Sequence, residues 1–567
     1  MSNPSQNGRV CLAARRIRFS PRNAISALLQ QVRGRGADWA DIQQYVSAVA
    51  TAGATPKCED QAGKRVLLLG LSPFPYCFKI EGLLGRALRE RGFSIVGVAN
   101  QQTASFARGY YRDAHGFEVV QLEDFASFSW RREIQDIADD AVARAERDFG
   151  YLKSFNYRGV PLGIHSLATL SAMVPDGRLE IGSANRGILK SLMVRSMMLL
   201  EASLGMAESL RPVKMLGVEK GTVGTCESFY AALKSNIDYV QWTGCHEPNS
   251  IMLKRYHWDN YRDHPFSMSS SSWERICALP WSDQYRDQVM AQFEAGYKEG
   301  AWFKYKNLST DQQQKERQAL MEELGLDAQK KTAVIYSHIL NDANLFYGED
   351  LFAGGYEEWL VETVRAAAGN PAVNWVLKLH PANVTRNVKL GYAGKYGELL
   401  ALEQAFGEMP SFLRVVYPEE KTSPLSFFKI TDYGITVRGT VGLELPCFGI
   451  PTLTAGTGRY AGKGFTVDSE TRQEYLENIR ALHEIPALTA EQVRLGQQYA
   501  YFVFRVRPAR YGDMFSDEYN FPINHPRHRD VALEGKPLNA ILEHPQMQKI
   551  VSFLCSSEED FLDLPAP

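Results

Sequence analysis

The chain lacks paired thiols, long apolar runs and any sizeable net charge, and each absence excludes a class. Eight cysteines are scattered singly over 567 residues, with no CxxC pair. Neither a disulfide framework nor a zinc site is therefore legible, and reduced thiols of a cytoplasmic protein are the expectation. No stretch reaches the ~18–20 uninterrupted apolar residues of a membrane-spanning helix. Leu192–Leu204 comes nearest, but Arg195, Ser196, Glu201 and Ser203 make it an amphipathic helix. Lys and Arg number 63 against 65 Asp and Glu, a net charge of −2, which argues against a nucleic-acid partner. No secretory signal is legible, because Arg15, Arg16 and Arg18 interrupt the first apolar cluster. Neither a P-loop (GxxxxGK(S/T)) nor a GxGxxG after the first strand is present, which disfavours nucleoside triphosphate hydrolysis and dinucleotide binding. No cofactor is expected.

What is there reads as globular. Apolar residues make up 45% and charged residues 23%, and the length suits two to four domains. The first 37 residues carry seven arginines (Arg9, Arg15, Arg16, Arg18, Arg22, Arg33, Arg35) and no acid. They read either as a solvated leader or as a basic surface for anionic lipid headgroups at the inner membrane, with a transit peptide a further option. Arg65–Gly70, Phe93–Val98 and Lys214–Val218 are short apolar runs of the kind that form buried parallel strands, with helices at Ile80–Leu88 and Cys226–Lys234. A polar, helix-favouring stretch follows. The rhythm then restarts with strands at Thr332–Tyr336, Asn374–Leu379, Phe412–Tyr417, Tyr433–Val437 and Pro451–Ala455. Helices are expected at Tyr356–Ala368, Ser423–Ile430 and Thr440–Phe448. The expected division is a basic, partly helical leader (1–60), a first α/β domain (61–300), a link (301–330), a second α/β domain (331–485), and C-terminal helices with an acidic tail (486–567).

In open parallel sheets, ligands sit beyond the carboxyl ends of the strands. The residues that follow the strands are therefore the candidates. Arg438-Gly439-Thr440 opens a helix, where unpaired amides and the helix dipole favour an anion. Glu444, one turn on, can accept ribose hydroxyls. His380 follows a buried strand; HP occurs four times here (His264, His380, His525, His544), but only His380 has that context. Gly456 belongs to a loop that turns the chain or approaches a phosphate, and Lys463 lies just after it. Arg438 could neutralise phosphate charge or pair with a structural acid.

Taken together, NWVLKLHPAN (374–383), ITDYGITVRGTVGLELPCFGIPTLTAGTGRY (430–460) and SHILNDANLFYGEDLFAGGYEEWL (337–360) resemble the second domain of GT-B glycosyltransferases. They look most like the bacterial capsule polysaccharide group that includes Kdo transferases. The resemblance implies two Rossmann-like domains facing a cleft, with an extra helical N-terminal segment. It also implies transfer from a nucleotide-sugar donor (CMP-Kdo-like, or a UDP- or GDP-sugar) to a glycan or lipid-linked glycan acceptor. It places the donor phosphate on His380, Gly439 and Thr440 and the ribose on Glu444. Glu219-Lys220-Gly221 follows a strand as an acidic-x-glycine motif does in that group, but Lys220 stands where some members carry a second acid. Glu219 and Asp342 are the candidate bases. No DxD pair lies in these loops, so metal independence is expected. A nucleotide-sugar epimerase and a non-catalytic glycan- or lipid-binding scaffold are the alternatives.

Overall fold

The computed structural model describes residues 39–52, 63–127, 131–148, 150–174, 176–179, 181–182, 185–298, 312–340, 345–519, 529–533 and 535–564. The seven arginines of the leader, and with them the expected membrane contact, lie outside the described residues. Residues 39–51 are helical, and Ile42, Tyr45 and Val49 pack into the core of the first domain. Lys79, itself buried, clamps this helix through Asp41 at 2.8 Å.

The chain forms two Rossmann-like α/β domains. The first sheet contains β1 (Arg65–Gly70), β2 (Ser94–Ala99), β3 (Glu118–Gln121), β4 (Lys214–Gly217), β5 (Asp238–Gly244) and β6 (Ser250–Tyr256). The second contains β7 (Lys331–Tyr336), β8 (Val373–Lys378), β9 (Leu413–Val416), β10 (Tyr433–Thr436), β11 (Thr452–Thr454) and β12 (Val467–Asp468). Helices cover both faces of the first sheet, which is why β1 is a continuous apolar run. Val66 and Leu68 enter one core and Leu67 and Leu69 the other, because side chains alternate faces. The same alternation sends Ala333 and Ile335 of β7 to one core and Val334 to another.

The strand order of the second sheet is β9-β8-β7-β10-β11-β12, all parallel. The order reverses direction between β7 and β10, and that switch point is where a doubly wound sheet opens a crevice for a ligand. In the first sheet, order β3-β2-β1-β4-β5 is parallel and the switch lies between β1 and β4. An antiparallel β6 extends that sheet, followed by β13 (Ala509–Arg510), which arrives from the far end of the chain.

The C-terminal part accordingly returns to the first domain. Helices Leu538–Glu543 and Pro545–Cys555 give Ile541, Ile550, Val551 and Leu554 to the core around β1. Within the C-terminal stretch the Asp560 side chain is fully buried. Asp560 pairs with Lys254 at 3.0 Å and Arg507 at 3.3 Å, and it accepts the amide of Ser269 at 2.8 Å. Burial alone would raise its pKa, but the two cations hold it well below the usual carboxylate range. Ahead of the second domain, helix Asp283–Lys298 packs Val289 and Phe293 against Tyr499, Val503 and neighbouring residues of the 490–506 segment.

Candidate functional site

The corner beyond β10 is built by the turn 437–440 and a short helix, Val441–Glu444, that tightens into a 3-10 turn over Leu445–Phe448. Pro446 has no N–H to give to the residue four back, so the α-helix cannot continue regularly through it. Gly442 and Leu443 donate to the carbonyls of Gly439 and Thr440 at 3.0 and 2.8 Å. The Gly439 amide donates to Thr436 Oγ1 at 3.2 Å. The amides of Thr440 and Val441 find no acceptor among the described residues. These are the orphan donors of a helix start.

Glu444 is 1% exposed. Tyr297, from the end of helix Asp283–Lys298, donates its hydroxyl to Oε2 at 2.6 Å, while Oε1 is buried with no partner among the described residues. Burial pushes the Glu444 pKa up to about 7, partly offset by the Tyr297 hydrogen bond and by Arg459. An unmatched buried carboxylate oxygen is costly, so this atom invites a hydroxyl donor.

Arg459 supplies the positive charge of the corner, a residue that the sequence reading passed over. Its guanidinium donates to the carbonyl of Arg438 at 3.2 Å and approaches Thr440 Oγ1 at 3.4 Å, and its Nε is buried without a partner among the described residues. Tyr499 and Tyr460 hold the strand-end loop in place by donating to the carbonyls of Arg459 and Gly439, each at 2.7 Å.

Arg438 is engaged by groups of the protein itself. Its guanidinium pairs with Asp350 and donates to the carbonyls of Tyr347 and Glu349. A buried guanidinium needs such partners, and these draw the 345–350 loop onto the sheet. Gly456 serves the same latch, since a Cβ there would meet Arg438 Nη2 at 2.5 Å. Lys463 is half-buried. Burial lowers its pKa, Asp263 partly restores it, and its charged neighbours are Asp263, Lys254 and Asp560.

His380 stands after β8. Its backbone amide donates to Ser337 Oγ at 3.1 Å, and its Nδ1 accepts the amide of Ala382 at 3.1 Å, which puts the proton of the neutral ring on Nε2. The following Asn383 is buried and donates to Glu398 at 2.7 Å. Between them, at the switch point, His338 follows β7 and reaches the turn after β10.

The first-domain candidates sit differently. Glu219 accepts the amides of Lys220 and Gly221 on Oε1 at 2.8 and 2.7 Å. Lys220 is 1% exposed, donates to the carbonyl of Tyr261 and lies 4.0 Å from the Tyr256 ring centre. Burial drives its pKa far below the ordinary lysine range. Phe346 packs on Gly221 and on the His165 ring, so the 345–350 loop covers this strand end. Asp342 lies outside the described residues. Among the described residues, no three His, Cys, Asp or Glu side chains gather as a metal ion requires, and no helix is long and apolar enough to cross a membrane.

No family model matches the chain, and no curated protein matches it. Solved structures with a detectable likeness include a KpsC beta Kdo 2,4 transferase of Thermosulfurimonas dismutans, 13% identical, covering 58% of this chain and 87% of that one, with a TM-score of 0.33. A UDP-GlcNAc 2-epimerase of Neisseria meningitidis is 12% identical, covering 77% and 95%, with a TM-score of 0.26. The spinosyn rhamnosyltransferase SpnG is 13% identical, covering 77% and 95%, with a TM-score of 0.24. Likeness at this level assigns neither substrate nor reaction.

Proposed function

We infer that the chain is a glycosyltransferase of GT-B type. It would move a sugar from a CMP-Kdo-like, UDP- or GDP-sugar donor to a surface or capsular polysaccharide acceptor, in the cytoplasm or against the inner membrane. The observation that carries this reading is Glu444, sealed from solvent, with one oxygen satisfied by Tyr297 and the other unmatched. A vicinal sugar hydroxyl is a donor that completes it. On this reading Glu444 holds the ribose of the donor nucleotide. One turn away, the amides of Thr440 and Val441, Arg459 and the Nε2–H of His380 receive the phosphate.

In transfer the acceptor oxygen bonds to the anomeric carbon, the bond from that carbon to the phosphate oxygen breaks, and the departing nucleotide phosphate gains negative charge. Donors already fixed around that phosphate stabilise the growing charge without reorganising. Among the described residues Arg459 has no carboxylate hydrogen bond to surrender first, unlike Arg438. The acceptor hydroxyl loses its proton to a base, for which Asp342 and Glu219 are the candidates, and no metal is invoked.

The test is nucleotide binding followed by product analysis. Titration with CMP, UDP and GDP should raise the unfolding temperature with at least one of them, because a ligand that binds only the native state stabilises it. Glu444→Ala should lower that affinity by about ten- to a hundredfold, the loss of a hydrogen bond to a charged group, with the fold kept. Donor consumed in step with glycan growth supports transfer. Free epimer formed without acceptor would convert the reading to an epimerase, and unchanged binding in the variant would remove the ribose assignment.

A further inference from the structure

One buried histidine belongs to none of the roles above. His338 lies just past the end of β7, 9% exposed, with its ring stacked on Tyr356 at 4.3 Å between centres and edge-on to Trp359. Its Nε2 accepts the amide of Val437 at 3.2 Å and that of Arg438 at 3.4 Å, and lies 3.1 Å from Thr436 Oγ1. Two N–H groups aimed at one ring nitrogen require a lone pair there, so the ring is neutral with its proton on Nδ1. Burial, reinforced by the nearby His380, Arg438 and Arg459, keeps it neutral far below the ordinary histidine range.

The geometry has a backbone cause. The ladder between β7 and β10 pairs Tyr433 with Ala333 and Ile435 with Ile335 and then ends, and Ser337 turns its own amide to Lys378 of β8. The amide of Val437 therefore has no β7 carbonyl to meet, and that of Arg438 no strand carbonyl among the described residues, although buried amides must be paired. The His338 side chain takes over the ladder at that point. Thr436 Oγ1, beside Nε2, accepts the next amide, that of Gly439. Three consecutive amides are thus closed off by one imidazole and one hydroxyl, and the chain is released into the helix only at Thr440.

We propose that His338 is the positioning residue of the donor corner: its Nε2 shapes the turn 436–438 that delivers Thr440 and Glu444, and donor affinity depends on an acceptor atom at that point. The proposal rests on the donor reading above. It makes His338 a fixed acceptor, not a proton carrier.

Two variants separate the acceptor from mere bulk. His338→Leu keeps the volume and removes the lone pair, whereas His338→Gln places Oε1 near the position of Nε2. With whichever of CMP, UDP and GDP the wild type binds, the Leu variant should lose about tenfold or more in affinity, the scale of leaving buried amides unmatched. The Gln variant should stay within about threefold of wild type on the same scale. In turnover, the Leu variant should raise the donor KM more than it lowers kcat. A Leu variant that binds like wild type, or a Gln variant as weak as Leu, would overturn the role. Binding lost in Glu444→Ala but kept in His338→Leu sinks the His338 role alone. A wild type that binds none of the three nucleotides, or a Glu444→Ala that binds unchanged, sinks the donor reading and this role with it.

Discussion

The two sheets share a winding order, yet their switch points ended up as opposites. Beyond β1 and β4 of the first domain the polar groups of the 219–221 turn are taken up by protein partners. Glu219 satisfies the amides of its own turn, Lys220 is sealed against aromatic rings, and Phe346 lies on Gly221, where a Cβ would come within 1.6 Å of its ring. Beyond β7 and β10 of the second domain the polar groups are incomplete. Glu444 Oε1 and Arg459 Nε are buried without partners among the described residues. The difference teaches that a doubly wound sheet supplies a crevice but not a site: loops packed from the opposite domain decide whether the crevice is filled. The two arginines of the corner repeat the contrast, Arg438 bound to Asp350 and Arg459 bound to a carbonyl and a threonine hydroxyl.

Removing the latch should have the largest effect. Arg438→Ala leaves the buried Asp350 without its ion-pair partner, with Lys153 and Arg262 as its remaining cationic neighbours, and the loss of one member of such a pair costs about 3–5 kcal/mol. Denaturant unfolding should show a matching drop in stability, and an unchanged midpoint would mean that the 345–350 loop is held by other contacts. Arg459→Ala should do the reverse. It should cost nucleotide binding about 1.5–3 kcal/mol, the worth of a charged hydrogen bond, with a smaller change in unfolding midpoint than Arg438→Ala. Equal losses of stability in both variants would erase the contrast between the two arginines.

The smallest effect is a pH dependence. With its pKa near 7, Glu444 is mostly protonated at pH 6 and mostly ionised at pH 8. Nucleotide affinity should therefore rise about tenfold over that interval if a ligand hydroxyl donates to the carboxylate. Stability moves the opposite way. A carboxyl whose folded pKa is raised favours the fold while it is protonated, and that contribution is lost as pH climbs from the usual carboxylate range through about 7. Glu444→Gln should flatten both profiles. An affinity that is flat in the wild type would show that Glu444 does not titrate where a ligand feels it.

Much of the frame was legible because it depends on local pattern. Runs such as RVLLLG, TAVIY and NWVLKL announce strands buried on both faces, and the structure places β1, β7 and β8 within a residue of the expected bounds. The antiparallel pair β5 and β6 was missed, although Pro248-Asn249 between two apolar segments is a turn signal that could have found it. The HP dipeptides show how little a local motif decides. His264, His380 and His544 each accept, on Nδ1, the amide two residues on, so the dipeptide makes the same turn at the domain seam, at the sheet end and at a C-terminal helix. Only the strand before His380 sets it apart. Arg459 had a signal of a kind, being the one cation in the loop between β11 and Tyr460. Tyr297 had none, since it meets Glu444 across 147 residues of chain.

The sequence by itself determined two α/β domains, the order of strands and helices that it could read from period and glycine placement, and the strand ends at which chemistry could stand. Those features follow from the alternation of side chains along each strand, a property of a few neighbouring residues. Tertiary structure alone decided which of two arginines is latched, that a histidine completes the β10 turn, that a tyrosine from a distant helix holds Glu444, and that the helices Leu538–Glu543 and Pro545–Cys555 pack back on the first core. Each of these joins groups far apart in the chain, and their pairing is fixed by which buried polar atoms can reach a partner once the two sheets are packed.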